Sequence, residues 1–403
     1  EERPVETRTK NEHGQIDRYF NESSPTRSIV THQQALLRCL AKLKAVMPVI
    51  GLRNPKIGRD DKTWEYCDAF DWVISFHAGQ LWLAAQLTGD PAFVVNAQAR
   101  RHNFRHILAH PTRFHHDLGF QFSLSCVADW KMTGNQDARS LALRAAEALS
   151  QRFNQGGGYI QAWNPRRDDP AFSSFTAGRI IADTMQNLAL LYWASSETGI
   201  AAFRDIADAQ AQVTIKHLIR DDGTSYHTFV FDPASGEPRR GQTHQGFADE
   251  SCWSRGQAWM IHGFAQSYLY TRNPLYRETA ARLAATAERL IGDNSVPVWD
   301  FGLTPDEKPW RDSSAGAIMA AGLYILASIS AGDEQQRWTA LADRLLAGLI
   351  DSCDLSGDAD ALGLLDHGAA HVRAGRCDTM LPYGDYYFVE ALMRSLGHNQ
   401  FFW

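Results

Sequence analysis

Cysteine, excess charge of one sign and long apolar runs are all scarce in this sequence. Its six cysteines lie far apart without a Cys-x-x-Cys pair, which argues against a zinc site and a dense disulfide framework. The 40 basic and 46 acidic residues are interspersed, with a net charge of -6, so we expect no nucleic-acid partner. No apolar run is long enough to cross a bilayer and no apolar signal core is present, so we expect no membrane partner. We expect a cytoplasmic protein, or a periplasmic or secreted one if a signal peptide has been removed.

Helix-like spacing of apolar residues dominates the chain, and strand-like alternation is scarce. The best short strand candidate is 226–231. Twelve helices are predicted, over residues 27–47, 70–88, 91–108, 117–133, 135–153, 180–197, 199–220, 253–270, 273–290, 313–330, 334–350 and 384–396.

The connections between these helices alternate in length. Some are tight turns with capping residues, such as Thr-Gly-Asp-Pro at 88–91, and the others are long and rich in Gly, Asp, His and aromatic residues. Every long loop leads into an even-numbered helix, so all of them would emerge at one end of the fold, and long loops are usually functional. Six such hairpins predict an all-α (α/α)6 barrel, a single domain over 1–403 with 1–25 as an N-terminal extension. The alternative is an open stack of helical repeats, but no repeat of fixed period is visible.

The segment 241–259 is dense in hydrogen-bonding side chains and runs into a helix that carries Trp253, Arg255 and Trp259. Arg255 and Trp259 are four residues apart and therefore share one helix face. A guanidinium that can grip a carboxylate beside flat aromatic surface suits a small acid with an apolar face, and a sugar acid is the obvious candidate. The alternative is a core helix whose arginine pairs with a structural acid.

A second cluster, His115-His116-Asp117, lies where a long loop meets a helix. Asp117 is either a functional carboxylate among titratable neighbours or a helix cap. Adjacent ligands rarely converge on one ion, so a metal site is not expected here.

A third cluster places Arg179, Asp183 and Asn187 at four-residue steps, which predicts one polar stripe on an otherwise apolar helix. Burial would raise the pKa of Asp183, as a general acid requires. The alternative is a structural ion pair between Arg179 and Asp183.

Aromatic residues also occur in the long loops, among them Trp163 after the glycine run 156–158. Such loops suit stacking on a sugar ring. A phosphate-binding loop, a dinucleotide fingerprint and a Gly-x-Ser-x-Gly elbow are all missing.

Six ordered motifs make the chain resemble the unsaturated glucuronyl hydrolases of glycoside hydrolase family 88, over about residues 64–395. The motifs are His-His-Asp-Leu-Gly-Phe (115–120), Gly-Tyr-Ile-Gln-Ala-Trp-Asn (158–164), Ile-Ala-Asp-Thr-Met-Gln-Asn (181–187), His-Thr-Phe-Val-Phe-Asp-Pro (227–233), Thr-His-Gln-Gly-Phe-Ala-Asp-Glu-Ser-Cys-Trp-Ser-Arg-Gly-Gln-Ala-Trp (243–259) and Tyr-Gly-Asp-Tyr-Tyr-Phe (383–388).

The resemblance implies an (α/α)6 barrel that removes a Δ4,5-unsaturated uronic acid from the non-reducing end of lyase-generated oligosaccharides. An aspartate protonates C4, water adds at C5, and the resulting hemiketal opens with loss of the aglycone. Asp183 matches the general acid/base, and Asp117 matches the second carboxylate, which orients the sugar hydroxyls. Arg255 would bind the substrate carboxylate, and no metal or organic cofactor is implied. The matching ligand-binding positions are His116, Trp163, His227, Gln245, Trp253, Arg255 and Trp259.

One position departs from the family pattern. His77 stands where the family commonly has a tryptophan, so we expect it in the pocket, with an effect on substrate preference. The alternatives to the main reading are an unsaturated rhamnogalacturonyl hydrolase, a sugar-acid epimerase and a non-catalytic oligosaccharide-binding protein on the same barrel. A monomer or a homodimer is expected.

Overall fold

The computed structural model describes residues 25–166 and 168–403. Its helices are α1 (Pro25–Ile50), α2 (Phe76–Thr88), α3 (Pro91–Ala99), α4 (Arg101–Leu108), α5 (Leu118–Phe122), α6 (Ala128–Thr133), α7 (Gln136–Ser150), α8 (Pro170–Thr176), α9 (Thr184–Thr198), α10 (Ala201–His217), α11 (Ser254–Thr271), α12 (Pro274–Ile291), α13 (Ser313–Ser328), α14 (Gly332–Ser352) and α15 (Pro382–Ser395). Its strands are β1 (Asn54–Gly58), β2 (Trp64–Cys67), β3 (Phe153–Asn154), β4 (Tyr159–Ile160), β5 (Arg179–Ile181), β6 (Thr228–Phe231) and β7 (Pro238–Gln242).

The helices form an (α/α)6 barrel, as the alternation of loop lengths predicts. Helices α2, α5 with α6, α9, α11, α13 and α15 each contact the next around a closed inner ring, and α15 returns to α2. These helices are largely buried, and in α13 every residue except Ser328 is buried. Outer helices such as α7, α12 and α14 bury one face and expose the other, as amphipathic helices do. Within the described ranges, no helix is long and apolar enough to cross a membrane.

Several helix boundaries differ from the prediction. The segment predicted as one helix over 91–108 breaks at Arg100, and the one over 117–133 contains a π-helical stretch at 123–127. The helix predicted to start at residue 70 starts at Phe76. The strand expected near 226–231 is confirmed as β6.

The most consequential difference lies before α9. Residues 179–181 form strand β5, which pairs with β6, and the helix begins only at Thr184. Arg179 therefore lies on a sheet, and the predicted helical stripe of Arg179, Asp183 and Asn187 is wrong in its first member. Two adjacent isoleucines after Arg179 favour a strand, since β-branched side chains pack well in sheets.

Glycines allow the inner helices to approach each other closely. A Cβ atom on Gly119 of α5 would overlap the Cα and carbonyl oxygen of Asn187 on α9. Gly263 of α11 faces the backbone of Met185 in the same way, and Gly322 of α13 faces the backbone of His262. The spacing of the inner ring therefore depends on the absence of side chains at these positions.

We expect Gly119→Ala to destabilise the fold by about 1–3 kcal/mol or more, because a backbone neighbour cannot move aside as a flexible side chain can. Gly384→Ala in α15 is the matched control. There the nearest atom would lie 3.3 Å from the new Cβ, so the change should stay within about 1 kcal/mol. Urea unfolding monitored by tryptophan fluorescence measures both. Equal stability of the two variants would contradict this account of the helix spacing.

Candidate active site

The amino ends of the inner helices and the long loops before them surround one cavity. Its inner part has a volume of about 630 Å³ and its outer part about 860 Å³. Both parts share the side chains of Lys56, Asp71, Trp72, Asp117, Trp163, Arg166 and Phe172. Residues of the inner part alone include Asp183, His244, Gln245, His371, Arg376 and Tyr383. The two predicted catalytic aspartates therefore face the same space.

Asp183 lies between β5 and α9, with 9% of its surface exposed. Its side chain does not cap the helix, and Oδ1 has no hydrogen-bond partner among the described residues. Burial and then the charge of Asp117 raise the pKa of Asp183 to about 7, although Arg255 opposes the shift. Asp183 is thus a carboxyl group that can hold a proton near neutral pH.

Asp117 precedes α5 and is equally enclosed, with 7% of its surface exposed, but it has several polar partners. Its carboxylate lies 3.1 Å from His115 Nδ1 and 3.3 Å from His116 Nε2, and Asn187 donates a hydrogen bond of 3.2 Å to it. Burial alone would raise the pKa of Asp117, but these neighbours hold it below its usual range. The side chain of Asp117 makes no capping hydrogen bond, so the capping alternative is wrong.

Asn187 connects the two aspartates. Its amide nitrogen contacts the Asp117 carboxylate and lies 3.5 Å from the carbonyl oxygen of Asp183, and its amide oxygen accepts a hydrogen bond of 2.7 Å from Phe120 N–H. The close packing at Gly119 makes these contacts possible. The result is one ionised and one protonatable carboxyl group at the amino ends of adjacent helices, an arrangement suited to acid–base chemistry.

His227 is held in a defined tautomer beside Asp183. The backbone N–H groups of His244 and Gln245 lie 3.0 and 3.1 Å from His227 Nδ1, which must accept both hydrogen bonds. The proton of the neutral ring therefore sits on Nε2, which lies 3.8 Å from Asp183 Oδ1. Burial, followed by nearby positive groups, lowers the pKa of His227 well below its ordinary value. His227 is thus a neutral donor that faces the protonatable carboxyl group.

Flat side chains form the walls of the cavity. Trp163 stacks on Phe175 at 6.1 Å between ring centroids and meets His244 edge-on at 5.3 Å. Trp72 packs on Tyr383 at 4.8 Å. Such surfaces suit the apolar face of a sugar ring.

Six of the eight predicted binding residues do not line the cavity as the structure describes it. His116 and His227 are buried beside Asp117 and Asp183, at 3.3 and 3.8 Å from their carboxylates.

The other four are buried elsewhere. Trp259 is fully buried against Phe120 and Tyr387. Trp253 is buried behind His227, at 4.3 Å between ring centroids. His77 is enclosed in the core, where burial and then the charge of Arg100 lower its pKa, so the structure does not bring it to the cavity in place of a stacking tryptophan.

Arg255 is also buried, with 1% of its surface exposed. Its guanidinium lies 2.6 Å from Asp312 and donates hydrogen bonds to the carbonyl oxygens of Ala369 and Ala370. Arg255 therefore pairs with a structural acid, Asp312, which is the alternative that the sequence left open. That Arg255 contacts a ligand carboxylate stays a prediction. Such a contact would use the N–H groups of the guanidinium that have no acceptor among the described residues.

The sequence missed several residues of the cavity wall. Trp72 and Tyr383 stand just before or at the start of inner helices, a signal that could have identified them. Lys56 on β1 and Arg166 in the loop before α8 had no such signal, because only the tertiary fold brings them to the cavity. Gln245, which was predicted to bind the substrate, lines the cavity, and its side chain donates a hydrogen bond of 2.9 Å to the carbonyl oxygen of Ala370. Among the described residues, no group of three or more His, Cys, Asp or Glu side chains could hold a metal ion.

Comparison with known proteins assigns the chain to a family. The sequence profile of Glycosyl Hydrolase Family 88 matches residues 54–398. The chain belongs to glycosyl hydrolase family 88. The predicted resemblance is therefore confirmed, and the site described above lies within the matched region.

Two family 88 relatives cover almost the whole chain. It is 39% identical to an unsaturated glucuronyl hydrolase of Bacillus sp. (strain GL1), over 90% of this chain and 96% of that protein. It is 33% identical to an unsaturated chondroitin disaccharide hydrolase of Streptococcus pyogenes serotype M1, over 97% of both.

A crystal structure from the same family supports the fold. The unsaturated glucuronyl hydrolase of Bacillus sp. GL1, described as responsible for the degradation of glycosaminoglycan, superposes with a TM-score of 0.84. The match has 38% sequence identity and covers 90% of this chain and 96% of that one.

The raised pKa of Asp183 predicts a pH-dependent cost to stability. In the folded protein Asp183 keeps its proton up to about pH 7, whereas the ordinary pKa of an aspartate is 3.8. Between these values the folded state binds more protons than the unfolded state, so this group's contribution to stability falls as pH rises. As the pH rises from 4 to 7.5, we expect the free energy of unfolding of Asp183→Asn to increase relative to that of the wild type by up to about 4 kcal/mol.

Thermal or urea unfolding of both proteins across this pH range measures the difference. Asp205→Asn, on the exposed surface of α10, controls for the substitution itself. A stability difference between Asp183→Asn and wild type that does not change with pH would contradict the raised pKa.

Proposed function

We propose that this chain is an unsaturated glucuronyl hydrolase. It removes a Δ4,5-unsaturated glucuronic acid from the non-reducing end of lyase-generated oligosaccharides, by hydration of the C4=C5 double bond. The observation that carries the proposal is the buried Asp183, protonatable near neutral pH and paired across the cavity with an ionised Asp117. Vinyl ether hydration needs a group that gives up a proton and then takes one back, and such a group works best when its pKa lies near the working pH.

The proposed reaction begins with protonation. Asp183 donates its proton to C4, the double bond opens, and positive charge develops at C5 and the ring oxygen. Water then adds at C5 and gives a proton to the Asp183 carboxylate, which restores the acid. The hemiketal opens to a ketone at C5, and the hemiacetal left at C1 releases the aglycone as an alcohol. Atoms and protons balance with water as the only co-reactant.

The other residues of the site would orient the sugar and support the charge that develops. Asp117 is ionised and faces the cavity, so it can accept hydrogen bonds from sugar hydroxyls, with His116 as its buried partner. The Nε2–H of His227 can donate to Asp183 once that residue has lost its proton. Trp163 would stack on the sugar ring, and Gln245 lies beside it at the inner wall.

Arg255 has a less direct position in this proposal. Its charge lies close enough to Asp183 to lower the pKa of that group, and it holds the Ala370 carbonyl group at the inner wall. We propose that Arg255 fixes this wall and attracts the uronate carboxylate from behind it.

Asp183→Asn should lower the turnover rate by about 100- to 10,000-fold, the usual contribution of a general acid. The amide cannot donate an acidic proton to C4, but it keeps the size of the side chain. Loss of the 4,5-double-bond absorbance of unsaturated glycosaminoglycan disaccharides is the measurement, and Asp205→Asn is again the control. Retention of more than about a tenth of the wild-type rate would rule out the acid role of Asp183.

The pH dependence of the same assay tests the protonation state. The rate should be highest below about pH 7 and should fall as the pH rises beyond it, because Asp183 then loses the proton that C4 requires. A fall in rate centred near pH 4 would contradict the assignment of Asp183 as the proton donor.

A substrate panel separates this proposal from its alternatives. An unsaturated rhamnogalacturonyl disaccharide should react more slowly than unsaturated glucuronyl disaccharides. Tight binding of all of them without any loss of absorbance, even at high enzyme concentration, would indicate a binding protein instead.

A further inference from the structure

A second polar surface lies outside the active-site cavity, on the three-stranded sheet of β5, β6 and β7. Arg179 pairs with Val230 and Val230 pairs with Arg240, so these three side chains lie on one face of the sheet. Thr228 and Gln242 pair with each other, two residues along, and therefore lie on the same face. The opposite face carries apolar residues such as Ile180 and Phe229.

Helix α8 partly covers this polar face and leaves a pocket of about 570 Å³. The pocket is lined by Ala171, Ser174 and Phe175 from α8 and by Arg179, Val230, Arg239, Arg240 and Gln242 from the sheet. Three of these eight residues are arginines, and no carboxylate from the described part of the chain lines the pocket. Neither Asp117 nor Asp183 reaches it, so it is distinct from the active-site cavity.

Arg179 is built into the wall of this pocket, with 3% of its surface exposed. Its guanidinium donates to three neutral oxygens, at 2.5 Å to Phe175 O, 2.6 Å to Thr228 Oγ1 and 2.8 Å to Gln242 Oε1. A guanidinium has five N–H donors. Within the described residues, two of them therefore have no acceptor, and the charge itself has no carboxylate in contact.

Arg240 adds a second cation to the same place. It lies across the sheet from Arg179. Burial lowers the pKa of Arg179, the charge of Asp249 opposes that shift, and the charge of Arg240 adds to it. Arg240 makes no hydrogen bond or ion pair with any residue that the structure describes. The neighbouring Arg239 is neutralised by an ion pair with Asp232. Among the described residues, no carboxylate lines the pocket or forms an ion pair with Arg179 or Arg240. The two like charges repel each other, and a bound anion would relieve that repulsion.

We infer that this pocket binds an oxyanion, held by Arg179 and Arg240 between α8 and the sheet. The ligand is a sulfate, a phosphate or a carboxylate, either free or as the charged group of an acidic saccharide, because arginine binds such groups in two-pronged fashion. The site lies next to the active-site cavity. The Arg179 guanidinium covers one side of the Phe175 ring at 3.6 Å, and Trp163, a wall of the cavity, stacks on the same ring.

Calorimetric titration of the full chain with sodium sulfate, at constant ionic strength in NaCl, tests the site. Arg240 is exposed and has no role in the proposed reaction, so Arg240→Gln should fold normally and keep its hydrolase rate. It should weaken sulfate binding about tenfold or more, the usual effect of removing a charged hydrogen-bond donor. Arg144→Gln makes the same change on the exposed face of α7 and should bind sulfate as the wild type does.

Saturable sulfate binding that Arg240→Gln weakens and Arg144→Gln does not would establish the site. Binding that both variants leave unchanged, or no saturable binding to the wild type, would overturn it. These measurements use no substrate, so they stand or fall separately from the proposed hydrolase activity.

Titration with saturated oligosaccharides then identifies the source of the anion. Chondroitin sulfate that binds where hyaluronan does not points to a sulfate ester, and binding of both points to a uronate carboxylate. Binding of sulfate or phosphate alone, again lost in Arg240→Gln, identifies a site for a free inorganic anion.

Discussion

Two buried carboxyl groups face one cavity, and their burial together with the repulsion between them governs the chemistry of the site. Both lie where water is largely excluded, so their two negative charges cannot both be accommodated at low cost. The polar neighbours decide which of them ionises. His115, His116 and Asn187 surround Asp117, whereas Asp183 Oδ1 has no hydrogen-bond partner among the described residues. The proton therefore stays on Asp183, beside a histidine whose own proton is directed at it.

The barrel makes this difference in environment possible. The amino ends of the inner helices meet at one end of the ring, and the long loops bring their side chains to the same place. The distance between α5 and α9 is set by backbone contact at Gly119, which also positions Asn187 between the aspartates. The positions of the two aspartates thus depend on the packing of the ring itself.

The sequence predicted the architecture well, because helical periodicity and the alternation of loop lengths are properties of the chain. It also predicted a common site for Asp117, Asp183, His227 and Trp163; three of them line one cavity, and His227 lies beside Asp183. It failed where side-chain direction depends on tertiary packing. Arg179 was predicted on a helix, yet pairing with β6 places it in a sheet and turns it towards another pocket. Arg255 and Trp259 share a helix face as predicted, but that face packs against Asp312 and the aromatic core.

The protonation of Asp183 in the folded enzyme can be measured directly. Carbon-13 NMR of protein labelled at the aspartate side-chain carboxyl carbons, with Asp183→Asn used to identify the resonance, gives its titration curve. We expect a midpoint near pH 7 in the wild type, and a lower midpoint in Asp117→Asn because the repelling charge is gone. A midpoint near the ordinary value of 3.8 in the wild type would contradict it.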